Sequence, residues 1–420
     1  MKRALIISLS FLILAACANF DIKINDNMSS LATMTIPGGN VQLSGNPVWI
    51  ETSTTRTGVS EQYMLIKVVA LNGIIDSEPR IQLIKGTSAK FNIQELVNLD
   101  INYLFDAEAT GFTKIHSNLV AQFLIEVGEQ YVDGNGELQV SYNESAFSLS
   151  VIKGRLSTLE WLMLKENDTS FFEEFIQGMR FLTNCYAYDS EYNAAEITIK
   201  NVEHEVKVWF YKLTTPIPDP ILIIEYTDGS APPSTIELEG QFDNVLYEVN
   251  LHRIVALARN PAKTVQAYYL STSGQTIKVN VENRYTENHE VLYVLNRYGA
   301  VEVLNCYGAI EEQRNIEKSE YTMPLKSTST SLSHTIIQQS NQNKKSYKLN
   351  TGFKALHERR WIVDLLESEK AWFKSSRVPH LPGKNYGIVP VNIQPGSFPV
   401  GNSETDIDSI TFEVTVAHFE

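Results

Sequence analysis

Apolar and polar positions alternate with a period of two along most of this chain. The runs 63–71, 80–84, 120–127, 137–142 and 147–152 are short, rich in Val, Ile, Tyr and Phe, and bounded by turn signals such as Asn72-Gly73 and Asp133-Gly134-Asn135-Gly136. The same style returns at 196–202, 205–211 and 221–226, and again at 245–251, 265–270, 276–281, 291–295 and 301–304. Many short strands at this spacing predict a mainly β fold with two or more β-sandwich-like domains. Residues 228–233 contain Gly229, Pro232 and Pro233 and form the expected domain boundary. The pattern therefore divides the chain into a tether (18–34), an N-terminal β-sandwich (35–152), a β-rich extension with short helices (153–230) and a C-terminal α+β domain (234–420). Residues 328–345 are rich in Ser, Thr, Gln and Asn and read as either a long exposed loop or a polar hairpin.

Two stretches depart from the period of two. Over 157–179, Leu159, Leu162 and Met163 and then Phe171, Phe172, Phe175 and Ile176 recur at helical spacing, with a break at Asn167-Asp168, so two short helices are expected. Over 356–373, Trp361, Leu365 and Trp372 form one lane and Ile362, Leu366 and Phe373 the next. Glu358, Arg359, Asp364, Glu367 and Lys370 take the other side. This predicts one amphipathic helix packed on the C-terminal sheet, with its tryptophans in the core. An exposed tryptophan platform for a ligand is the competing reading.

The amino terminus has a different character. Lys2 and Arg3 precede an apolar run, 4–14, broken only by Ser8 and Ser10, and Leu14-Ala15-Ala16-Cys17 follows. The run suits a signal peptide and is too short to span a bilayer, which needs about 20 residues. Leu14 to Cys17 resembles the lipobox of bacterial lipoproteins, which implies lipidation at Cys17, export, and anchoring at the outer membrane or cell surface. Loss of Lys2 and Arg3 with residues 1–17 would move the net charge from −14 to −16. That charge disfavours nucleic acid and points to protein, self or neighbouring subunits, or neutral glycan as partner. The pairs Lys344-Lys345 and Arg359-Arg360 read as solvated surface. Beyond Cys17 only Cys185 and Cys306 remain, which either pair with each other or sit as buried thiols.

Catalytic motifs are not evident. The histidines at 116, 204, 252, 289, 334, 357, 380 and 418 are scattered, with no H-E-x-x-H and no Cys/His cluster of metal-site spacing. His204-Glu205 reads as an exposed strand position. The 133–137 stretch has Leu138 where a calcium loop needs glycine, so a hairpin turn explains it better. No G-x-S-x-G, P-loop or G-x-G-x-x-G occurs. The expectation is a protein that is not an enzyme, with no catalytic residue, cofactor or metal, and with a binding surface that the sequence leaves unspecified.

The stretch "VLYVLNRYGAVE" at 291–302 and "GFKALHERRWIVDLLESEKAWF" at 352–373, with "SGNPVWI" at 44–50, "KFNIQELV" at 90–97 and "RFLTN" at 180–184, resemble tail-associated structural proteins of Bacteroidetes phages and prophages. The resemblance covers roughly residues 44–420 and implies a structural or binding role in a phage tail. Its phrases are folding signals: Gly299 suits a hairpin turn with positive φ, and Asn46-Pro47 starts a strand. The functional alternative makes Asn46, Trp49, Arg297 or Tyr298 a partner contact. A virion protein has no use for a signal peptide. The two features combine if a phage-like module serves as a lipid-anchored surface protein.

Overall fold

A computed structural model describes residues 23–24, 32–37, 39–71, 80–98, 111–116, 119–143, 146–166, 181–185, 194–212, 220–236, 245–272, 275–322, 336–379, 385–398 and 407–417. The fold is mainly β, with several sheets in a β-sandwich-like arrangement. The chain divides into two compact units, residues 1–104 with 117–177, and residues 105–116 with 178–420.

The first unit is built around strand Val120–Val132, whose odd-numbered residues Phe123, Ile125 and Val127 are buried in the unit's core. One side of this strand pairs with Ser60–Ala70, which in turn carries Arg80–Lys85. The other side is shared by Phe147–Ile152 and Leu138–Tyr142. At the changeover Gly128 is required, because a Cβ there would lie 2.5 Å from the Ser141 carbonyl oxygen. Glu129 continues the buried face and is fully enclosed, held by Arg56 at 2.7 Å and by the Thr54 hydroxyl at 2.8 Å. A three-stranded sheet of Ala32–Thr35, Trp49–Thr54 and Ser88–Asn92 contributes Ala32, Ile50 and Phe91 to the same core. Ala32–Thr35 and the short strand Lys23–Ile24 thus place part of the expected tether within the sheets. The 133–137 stretch is a hairpin turn in which Asp133 Oδ1 accepts the Asn135 and Glu137 amides, both at 2.9 Å.

The second unit holds three sheets around one core. A five-stranded sheet runs Ala194–Ile199, Thr276–Val281, Val265–Ser271, Ile221–Tyr226, Pro233–Thr235. A three-stranded sheet joins Lys207–Lys212, Val245–Asn250 and Thr113–His116. A seven-stranded sheet runs Val301–Cys306, Glu290–Leu295, Ala371–Ser375, Gly387–Ile393, Ile407–Val416, Ile336–Ala355, Glu311–Thr322. The 228–233 stretch, expected as a domain boundary, lies inside this unit. It connects two antiparallel strands through a turn closed by Gly229, which sits at φ +80°. Its glycine and prolines shape a hairpin. The polar stretch within 328–345 resolves toward the hairpin alternative, since Ile336–Ala355 pairs antiparallel with Glu311–Thr322. Residues 323–335 lie outside the description.

The helices need three corrections. The one expected at 356–373 ends at Leu366, and Ala371–Ser375 is a strand that places Trp372 and Phe373 in the seven-stranded sheet. Ser368 makes the stop: its hydroxyl donates to the Leu295 carbonyl at 2.5 Å and accepts the Lys370 amide at 3.2 Å, competing with helical bonding. Glu358 and Arg359, expected on the solvent side, are 1% and 0% exposed, whereas Arg360 beside them is exposed. Thirdly, Leu251–Ala258 is a helix where a strand was expected to reach residue 251. Its signal is Leu251, Ile254, Val255 and Ala258 at helical spacing, with a stop at Asn260-Pro261. The first helix expected within 157–179 is Thr158–Glu166, and the second falls outside the described residues. Among the described residues no helix is long and apolar enough to cross a membrane.

Candidate functional site

Three segments far apart in sequence converge on one polar network in the second unit. At the turn after Glu290–Leu295, Gly299 adopts φ +83° and the Asn296 amide donates to the Ala300 carbonyl at 2.7 Å, so the hairpin forms as its sequence predicts. Asn296 is buried. Its Oδ1 accepts the Tyr298 and Ala300 amides at 3.0 Å, and its Nδ2 donates to the Leu182 carbonyl at 2.6 Å and to Glu302 at 2.9 Å. Glu302 also accepts a hydrogen bond from the Thr183 hydroxyl, and Asn184 donates to Asp364, which Arg297 reaches at 3.1 Å. Burial holds the Glu302 carboxyl above the ordinary glutamate value, opposed by its bonds to Thr183 and Asn296. The phrases at 180–184, 291–302 and 352–373 therefore meet each other, through side chains that brace a hairpin against a helix.

The same helix closes a sheet edge. Among the described residues strand Ala194–Ile199 has a strand neighbour on one side only, and its outward backbone groups need partners in the interior. Glu358 accepts the Thr198 amide at 2.9 Å, Lys354 donates to the Thr198 carbonyl at 2.6 Å, and His357 lies 3.1 Å from the Glu196 carbonyl. Cys185 completes the row: its carbonyl accepts the Glu196 amide at 2.9 Å and its thiol donates to the Glu196 carbonyl at 3.0 Å. Lys354 and Glu358 form an ion pair at 3.1 Å with side chains 5% and 2% exposed. Burial of Glu358 thus has a specific cause, a strand edge that its carboxylate terminates.

A second cluster joins the three sheets. His204 stacks on His289 with ring centroids 3.9 Å apart, and its Nδ1 lies 3.1 Å from the Tyr307 hydroxyl. His289 Nε2 lies 2.8 Å from Asn305 Oδ1. His204 is buried in the turn before Lys207–Lys212, not exposed on a strand, because that strand starts two residues beyond Glu205. Burial, then His289, Lys200 and Lys354, lower His204 from 6.5 to about 3, and burial also lowers His289. Burial raises Glu205, but Lys374 and the Tyr293 hydroxyl outweigh it and leave the carboxyl below its ordinary value. Both imidazoles take up protons more readily in the unfolded chain. The contribution of His204 to stability is complete above about pH 6.5 and declines as pH falls from there toward 3, and that of His289 declines in the same direction. In a ring-proton NMR titration His204 should stay neutral down to pH 5. A midpoint above 6 would contradict the buried stack.

The remaining candidates distribute as follows. Cys17, the expected lipidation site, and His334, His380 and His418 lie outside the described residues. Cys185 and Cys306 are free and buried, and burial pushes the Cys306 thiol up to about 12 and the Cys185 thiol well above its ordinary value. Both are poor nucleophiles at neutral pH. Asn46 has an internal role, with its side chain bracketing Leu156 through bonds of 2.7 and 3.2 Å. Tyr298 is buried, and Arg297 is committed to Asp364. A cleft of about 510 Å³ beside the 228–233 turn is lined by Tyr226, Pro232, Asn260 and Lys263. Lys263 there binds Asp228 at 2.7 Å, and the Asn260 amide donates to the Tyr226 hydroxyl at 2.7 Å. Among the described residues no group of three or more His, Cys, Asp or Glu side chains could hold a metal ion. No protein-family model matches this chain, and no curated protein matches it.

Proposed function

We propose that this chain is a non-enzymatic structural or binding protein, similar in kind to tail-associated phage proteins, that acts through β-rich assembly surfaces. The observation that carries this reading is the use made of the conspicuous residues. Asn296 binds Glu302, Asp364 binds Arg297 and Asn184, and Lys354 pairs with Glu358 while both close a backbone edge at Thr198. Residues so engaged supply rigidity, and a rigid β scaffold presents surfaces to neighbours. The expected partner is protein, another copy or a neighbouring subunit, or a neutral glycan, in keeping with the acidic chain. The oligomeric state of the mature chain in solution tests this reading.

A second reading rests on Leu14 to Cys17: the same module is held at the cell surface by lipid on Cys17. Metabolic labelling with a fatty-acid analogue should mark the wild-type protein and not Cys17→Ser, and only the wild type should partition with membranes. An unlabelled wild type, or unprocessed protein inside virions, would remove the anchor from the account.

A further inference from the structure

The two most exposed large apolar side chains among the described residues are aromatic, Tyr285 at 91% and Phe353 at 74%. Both flank Lys200. The Arg284 amide donates to the Lys200 carbonyl at 2.9 Å, and a Cβ added to Gly352 would lie 3.6 Å from Lys200 Nζ, so each aromatic is one residue from a contact with this lysine. Lys200 is half-buried, with its ammonium 5.0 Å from the centroid of the Tyr307 ring. Among the described residues no carboxylate or other acceptor reaches that ammonium, whereas Lys354, over the same ring, is paired with Glu358.

Specific backbone features present the two rings. Tyr347, Leu349 and Thr351 are buried at alternate positions of Ile336–Ala355, and a regular strand would carry Phe353 inward after them. A bulge instead sets Thr351 and Gly352 together opposite Ile410, which turns Phe353 outward and Lys354 inward. Gly352 takes φ +70° with its amide donating to Asn350 Oδ1 at 2.7 Å, and the Ile410 amide donates to the Thr351 hydroxyl at 3.0 Å. Tyr285 follows Asn283, whose left-handed φ of +54° is held by its Nδ2 donating to the Val265 carbonyl at 2.8 Å. The exposed polar residues Arg284 and Glu287 beside Tyr285, and Lys200 itself, keep the rings from merging into the contiguous apolar patch that marks a protein interface. Separate ring faces around a hydrogen-bond donor match a sugar chain, and Glu282 and Glu287 with the net charge of −14 oppose a polyanionic one. Resting on the binding reading above, we propose that Tyr285, Phe353 and Lys200 form a site for a neutral glycan, whose C–H faces stack on the two rings while its hydroxyl oxygens accept hydrogen bonds from the Lys200 ammonium.

The test applies the mature full-length chain with Cys17→Ser to an array of neutral and carboxylated oligosaccharides, followed by titration calorimetry with those retained. Neutral members should bind. Tyr285→Ala and Phe353→Ala, each checked for native circular dichroism, should weaken that binding about fivefold or more, and Lys200→Met about tenfold or more. Preference for the carboxylated members would overturn the neutral assignment. Neutral binding that all three variants retain would overturn this site and leave the binding reading standing, as would a homo-oligomer or a retained protein partner with no glycan bound. A chain that is monomeric at every concentration and binds nothing would remove both.

Discussion

Lys354→Ala is expected to destabilise the second unit by about 3–5 kcal/mol, the usual cost of removing one partner from a buried ion pair. Glu358 would remain enclosed, and the Thr198 carbonyl would lose the donor that meets it at 2.6 Å. Many buried pairs can be exchanged for apolar residues of similar size without loss. This pair differs, because it also terminates the Ala194–Ile199 edge. The double variant Lys354→Met, Glu358→Leu should therefore stay at least about 2 kcal/mol below wild type, since the Thr198 amide and carbonyl would both be left without partners. Urea denaturation of the two single variants and the double measures this directly. A double variant as stable as wild type would mean that the pair has no edge-closing role.

Trp361→Ala should cost a similar amount, about 3–5 kcal/mol, by leaving a cavity in a close-packed core. Its ring is 1% exposed and shares one cluster with Ile362, Leu365, Phe373 and Tyr347. The helix that carries it packs on the Glu290–Leu295, Ile336–Ala355 and Ile407–Val416 strands. A loss under about 1 kcal/mol in chemical denaturation would mean an exposed ring, and the ligand-platform reading of the tryptophans would return.

The strands were legible because burial on one face writes a period of two into the chain. Phe147–Ile152, Ile221–Tyr226 and Thr276–Val281 stand where alternation places them. Turn chemistry was equally readable at Asn296 to Gly299 and at Asp133 to Gly136, where an Asx side chain and a glycine determine local geometry. Long-range partners were not. Glu358 and Arg359 look like a solvated helix face, and only the approach of the Ala194–Ile199 edge makes Glu358 an interior residue. The helix stop at Ser368 depends on the Leu295 carbonyl, 73 positions away. The same limit hid the site: His204 and His289, or Asn184 and Asp364, are unremarkable until the sheets bring them together. Residues 228–233 misled for a different reason, since glycine and proline mark a hairpin turn as readily as a domain boundary.

If the residues that look chemical are braces, function lies in what the β surfaces join. Sedimentation of the purified mature chain over a wide range of concentrations tests this most directly. A defined homo-oligomer, or a retained protein or glycan partner, is the expected result. A chain that remains monomeric and unliganded throughout, and that hydrolyses a glycan, peptide or phosphoester in a reaction abolished by one Asp or Glu substitution, would contradict it.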